Sequence, residues 1–66
     1  MIDLYLNGEA ISTDAENLAA LLQDCGYEHD RLATALNGIF VHRESRTSAR
    51  LSPGDRVEVV SPIEGG

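Results

Sequence analysis

The sequence predicts an α+β fold, a small mixed sheet packed on one main helix. Three observations carry this. Asn-Gly dipeptides at 7–8 and 37–38 each separate two short apolar stretches, the mark of a two-residue hairpin turn. A leucine-rich stretch between the two hairpins has helical spacing. Near the end, Arg56-Val57-Glu58-Val59-Val60 alternates as one further strand. The resulting order is hairpin, helix, hairpin, irregular stretch, strand.

In the first hairpin, Ile2, Leu4 and Leu6 alternate with Asp3, Tyr5 and Asn7. After Asn7-Gly8, residues 9–12 form the returning strand, with Ile11 apolar. Thr13-Asp14-Ala15-Glu16 has the capping-box pattern, in which the Thr hydroxyl and the Glu carboxylate each accept from the other's backbone N–H. A helix is therefore expected over residues 14–25. Its core face would carry Ala15, Leu18, Leu21, Leu22 and Cys25, which recur at three- and four-residue steps. Gly26 suits the position just past the helix, and Tyr27 the apolar contact that often follows it.

Glu28-His29-Asp30 reads as polar linker. Residues 32–36 read as a strand with Leu32, Thr34 and Leu36 on one face, and Asn37-Gly38 then turns the chain into Ile39-Phe40-Val41-His42. Residues 43–50 are polar and without period, a connection with a short turn, or a short strand near residues 48–51. Ser52-Pro53-Gly54-Asp55 is a turn, with Pro presetting φ and Gly supplying a positive one. In the last strand Val57 and Val59 share one face, and Glu58 and Val60 the other. Pro62 ends it, having no N–H for a ladder.

Totals narrow the function classes. A 66-residue chain makes one domain that buries only about 60% of its unfolded surface. One cysteine, Cys25, cannot close an internal disulfide, so a reducing, cytoplasmic setting is expected. Residues 1–15 lack the basic start and apolar run of a signal peptide, and no apolar run approaches the roughly 20 residues of a membrane span. A net charge of −6 argues against nucleic acid as a partner.

No internal active site is expected, and no catalytic residue is named. His29 and His42 have no third ligand at zinc-binding spacing, so no metal is expected. Cys25 falls on the apolar helix face, where a buried structural cysteine is expected rather than a reactive one. No phosphate-binding loop is present, and no bound cofactor is expected.

The ending carries the chemistry. The chain closes on Ser61-Pro62-Ile63-Glu64-Gly65-Gly66. Two glycines bury no side chain and cost entropy to order, so they add no stability. They make a thin thread, expected to be flexible over residues 62–66, with a carboxylate at its tip. Extended, the four residues beyond Pro62 reach about 13–14 Å, enough to leave the domain and enter another protein's site. Ile63 and Glu64 would then lie at the mouth of that site. An α-carboxylate is ionised at neutral pH and inert as an acyl donor until activated. Gly65 and Gly66 offer no side chain to block a channel.

Taken together, the Asn7-Gly8 hairpin, the leucine-rich helix, Ala35-Leu36-Asn37-Gly38, the run from Pro53 to Val60 and the Gly65-Gly66 end resemble the ThiS/MoaD family of sulfur carrier proteins. The resemblance covers essentially the whole chain and is strongest to the ThiS branch. It departs from the family at residue 42, His where many members carry Pro, and in lacking a Trp soon after.

The resemblance implies a ubiquitin-like β-grasp domain over residues 1–61 and a tail over residues 62–66. It implies that an E1-like, ThiF-type adenylyltransferase uses ATP and Mg²⁺ to adenylate Gly66. A persulfide sulfur donor would then supply a thiocarboxylate, and a ThiG-type thiazole synthase would accept the sulfur for thiamine biosynthesis. This makes the chain a protein carrier rather than an enzyme. The helix should cover one side of the sheet, leaving the other for these partners. Tyr5, Val60 and Phe40 are expected in an apolar docking patch there, although alternation alone leaves open which face Phe40 takes. Two other readings stay open: a MoaD-like carrier serving molybdopterin synthesis, and a β-grasp binding module that never uses its tail.

Overall fold

The structure is a computed structural model, and it describes residues 1–27 and 31–61. The linker with His29, Pro62 as the end of the last strand, and the tail lie outside the described residues.

Among the described residues, five strands form one mixed sheet: β1 (Ile2–Leu6), β2 (Glu9–Thr13), β3 (Ala33–Leu36), β4 (Ile39–Val41) and β5 (Arg56–Val60), in spatial order β2-β1-β5-β3-β4. The two hairpins are antiparallel, β1 with β2 and β3 with β4. The last strand inserts between them, parallel to β1 and antiparallel to β3. One helix, α1 (Leu18–Asp24), packs on the sheet, and a 3-10 helix, Arg43–Ser48, fills the connection after β4. This is the β-grasp arrangement.

Both Asn-Gly turns form as their composition requires. Asn7 and Gly8 have φ of 51° and 85°, and Asn37 and Gly38 have 53° and 83°. Positive φ at both central residues matches the turn twist to the strands.

The helix begins later than the capping box predicts. Thr13 stays extended, paired with Ile2 at the end of β2, and its hydroxyl accepts from the Ala15 N–H at 3.0 Å instead of from residue 16. Strand pairing wins over local capping. The cap is Asn17, whose Oδ1 accepts from the Ala20 N–H at 2.8 Å. The strap before the helix is tied to the later chain, since Leu18 N–H donates to Ala49 O at 2.9 Å and Leu51 N–H to Glu16 O at 3.0 Å.

The other end closes as expected. Gly26 (φ 84°) donates to Gln23 O at 3.1 Å, and Tyr27 N–H reaches back to Leu22 O at 2.8 Å. That turn folds Tyr27 against the core. Cys25, expected to be buried, is exposed. It caps the helix instead of continuing it, and the half-buried Tyr27 packs on that end of the core instead.

Leu4, Leu18, Leu21, Leu22, Leu32, Val57 and Val59 form the buried core with Ala15. Each such Leu or Val contributes roughly 1.5–3 kcal/mol when fully buried. A helix of seven residues is far below the roughly 12–15 needed to stand alone, so this packing is what holds it.

Candidate functional site

The strand that leads into the tail is central, and its alternation divides the sheet. Val57 and Val59 point to the helix and are buried, whereas Arg56, Glu58 and Val60 lie on the opposite, exposed face. Register carries that face across the sheet. Tyr5 of β1 stands opposite Arg56, Ala33 and Ala35 of β3 stand opposite Val60 and Glu58, and Phe40 of β4 stands opposite Ala35. The parity of Phe40, undetermined by alternation alone, is therefore that of Tyr5 and Val60.

These three side chains are 47% (Tyr5), 58% (Phe40) and 63% (Val60) exposed. The residues between them on β3 are alanines, which leave the surface low there. Tyr5 borders two shallow depressions, of about 530 Å³ towards β2 and about 280 Å³ towards Arg56 and Glu58. Phe40 stacks edge-on against the exposed ring of His42, with centroids 4.8 Å apart. Ile39 is more exposed still at 70%, but it pairs with Leu36 and so has the parity of the helix-side face at the sheet edge.

Three residues read from the sequence as turn or connection prove to brace the sheet behind this face. Asn7 and Asn37 use their side-chain amides on β5. Asn7 Oδ1 accepts from Val59 N–H at 2.9 Å, and its Nδ2 donates to Val59 O at 3.3 Å. Asn37 Oδ1 accepts from Arg56 N–H at 2.9 Å, and its Nδ2 donates to Asp55 Oδ1 at 3.0 Å. Asp55 in turn closes the preceding turn by accepting from Ser52 N–H at 2.8 Å. The available signal was the choice of Asn over Gly or Asp at the first turn position, since only Asn carries an amide that both donates and accepts. The third is Arg46, buried beneath β3 and β4.

Among the described residues, no group of three or more His, Cys, Asp or Glu side chains is placed to hold a metal ion, and no helix is long and apolar enough to cross a membrane. Gly66, Gly65, Glu64 and Ile63 lie outside the described residues, beyond the exposed Ser61 where β5 releases the chain.

A solved structure of the thiamine biosynthesis protein ThiS from Geobacter metallireducens is similar to this chain at 29% identity, with a TM-score of 0.82 over 98% of this chain and 100% of that one. No curated protein sequence matches. The ThiS family profile matches residues 4–66, from the first strand through both terminal glycines. The chain belongs to the ThiS family.

Proposed function

We propose that this protein is a sulfur carrier of thiamine biosynthesis, with the Gly66 carboxylate as the group that carries the sulfur. The observation that supports this most directly is that the family match runs through Gly65 and Gly66. The fold adds a physical reason: the chain before the tail is the central strand of the sheet, with a neighbouring strand on each side.

The chemistry belongs to partners. In a ThiF-type adenylyltransferase, with ATP and Mg²⁺ as that enzyme's co-substrates, a Gly66 carboxylate oxygen attacks the α-phosphorus and pyrophosphate leaves. The acyl carbon is now a good electrophile. The terminal sulfur of a donor persulfide attacks it and AMP leaves, giving an acyl disulfide. A thiol reduces that S–S bond and releases the thiocarboxylate, which a ThiG-type thiazole synthase accepts. This chain supplies the acyl group, the thread and the docking face. Tyr5, Phe40 and Val60 form the apolar centre of that face, with Arg56 and Glu58 setting charge beside it. Residues 1–61 act as the domain and 62–66 as the tail, in the cytoplasm.

Intact-mass spectrometry tests the reading. Incubation with ATP, Mg²⁺, the adenylyltransferase, a persulfide donor and a thiol is expected to replace one oxygen by sulfur, with the terminal peptide carrying the gain. Removal of Gly65 and Gly66 is expected to abolish it. No gain on Gly66 in the complete mixture would overturn the carrier reading in favour of a binding module. Transfer to the large subunit of a molybdopterin synthase rather than to thiazole synthase would move the assignment to a MoaD-like carrier.

A further inference from the structure

We propose that Asn7 is a positioning residue for the tail: its side-chain amide extends the sheet by one step beyond the end of β1 and thereby holds the root from which Gly66 is delivered. The inference rests on the carrier reading above.

Strands β1 and β5 run parallel, and their backbone ladder includes Tyr5 N–H to Asp55 O at 2.9 Å and Asn7 N–H to Val57 O at 2.8 Å. At Asn7 the backbone turns away, with φ of 51°, into the antiparallel return of β2. The next groups on that side of β5 are the N–H and C=O of Val59, a residue only 6% exposed. No backbone of β1 is left to pair with them. The Asn7 amide meets both, at 2.9 and 3.3 Å. A side-chain amide has the donor and acceptor of a peptide group, so it continues the ladder where the main chain cannot. On the other side, the last pairing of β5 is Val60 with Ala33, the first residue of β3. The end of β5 is thus held by one side chain and one strand terminus. Three residues after Val59 the chain passes into the tail.

The fold contains its own control. Asn37 makes a similar contact on the same strand at its opposite end, gripping Arg56 through its main-chain N–H (2.7 Å to Arg56 O) and its Oδ1 (2.9 Å). Loss of either amide should loosen β5, but only loss of Asn7 should loosen the end that launches the tail.

The experiment compares the full-length wild-type chain with Asn7→Gly, Asn7→Asp and Asn37→Gly. Glycine accepts the positive φ without strain, so the amide is removed alone. Asp keeps an acceptor for Val59 N–H and lacks the donor, and it serves as the milder variant should Asn7→Gly fold poorly. Amide exchange by NMR is read at Val59 and Val60. Adenylation by the ThiF-type enzyme with MgATP is followed as ATP–pyrophosphate exchange, with kcat and KM separated and normalised to folded protein.

Asn7→Gly is expected to speed exchange at Val59 by about tenfold or more, the scale of one lost buried hydrogen bond. It is also expected to lower kcat by about tenfold with a smaller change in KM, because the docking face persists while the carboxylate is poorly placed. Asn7→Asp should fall between, and Asn37→Gly should leave kcat near wild type. Equal kcat for Asn7→Gly and Asn37→Gly, with the wild type active, would overturn the role of Asn7 alone. A wild-type chain that is not adenylated would overturn the carrier reading instead.

Discussion

The Nε–H of Arg46 donates to the hydroxyl of Thr34 at 3.1 Å, and that hydroxyl donates onward to the carbonyl of Val41 at 2.8 Å. Arg46 Nη2 also donates to the carbonyl of Leu32. A side chain from the 3-10 helix thus ties the entrance of β3 to the end of β4, and both Arg46 (7% exposed) and Thr34 (2%) are buried. No carboxylate pairs with Arg46 among the described residues. Its charge is compensated by hydrogen bonds to a carbonyl and a hydroxyl, and no buried side-chain polar atom among the described residues lacks a partner.

Because the two side chains share one network, removing the second should cost less than removing the first. Thr34→Val removes the hydroxyl while keeping the shape, and it should cost about 1–3 kcal/mol because it strands a guanidinium donor. Arg46→Met should cost a similar amount by leaving the Leu32 carbonyl unpaired. In urea unfolding the double variant should lose less than the sum by about 0.5–3 kcal/mol, the coupling of groups in one network. Additive losses would mean that the two side chains act independently.

The late helix start has a direct consequence. Asn17→Ala should lower stability by about 1 kcal/mol, because the Ala20 N–H loses its acceptor. Glu16→Ala, which removes the acceptor a capping box would use, should stay within about 0.5 kcal/mol, since Glu16 is exposed. Thermal or urea unfolding of the pair discriminates the two capping schemes.

Gly26 is held at φ 84° with open space where a Cβ would go. Gly26→Ala should therefore meet no clash and lose only the backbone preference, about 1–2 kcal/mol. A larger loss in unfolding experiments would show that Tyr27 had also left the core.

On the outer face the expected effects are on binding and not on folding. Tyr5→Asp and Phe40→Asp replace exposed side chains, so stability should move by about 0.5 kcal/mol or less. Affinity for the adenylyltransferase should drop by about 2 kcal/mol or more, the scale of an anchor residue at an interface. Calorimetric titration measures this, and unchanged affinity for both variants would remove these residues from the docking face.

Much of this was legible along the chain because its signals are local. Each Asn-Gly turn needs only its two backbone conformations, the leucine stripe only the helical period, and the facing of Tyr5 and Val60 only alternation within one strand. The fate of Phe40 was not legible, since a strand of three residues has no facing until its register with Ala35 is known. Cys25 was misplaced because periodicity does not say where a helix stops, and Thr13 because strand pairing with Ile2 outweighs a local cap.

By itself, then, the sequence determined the order of the strands and the main helix, the turn types, and the core faces of β1 and β5. Only the tertiary structure decided that β5 lies at the centre of the sheet, that Asn7 and Asn37 grip it from its two neighbours, and that Arg46 is buried under β3 and β4. The physical reason is range. Propensity and period act over a few residues, whereas the Asn7–Val59 bonds join positions 52 apart, and no local rule requires such a contact until the strands are assembled side by side.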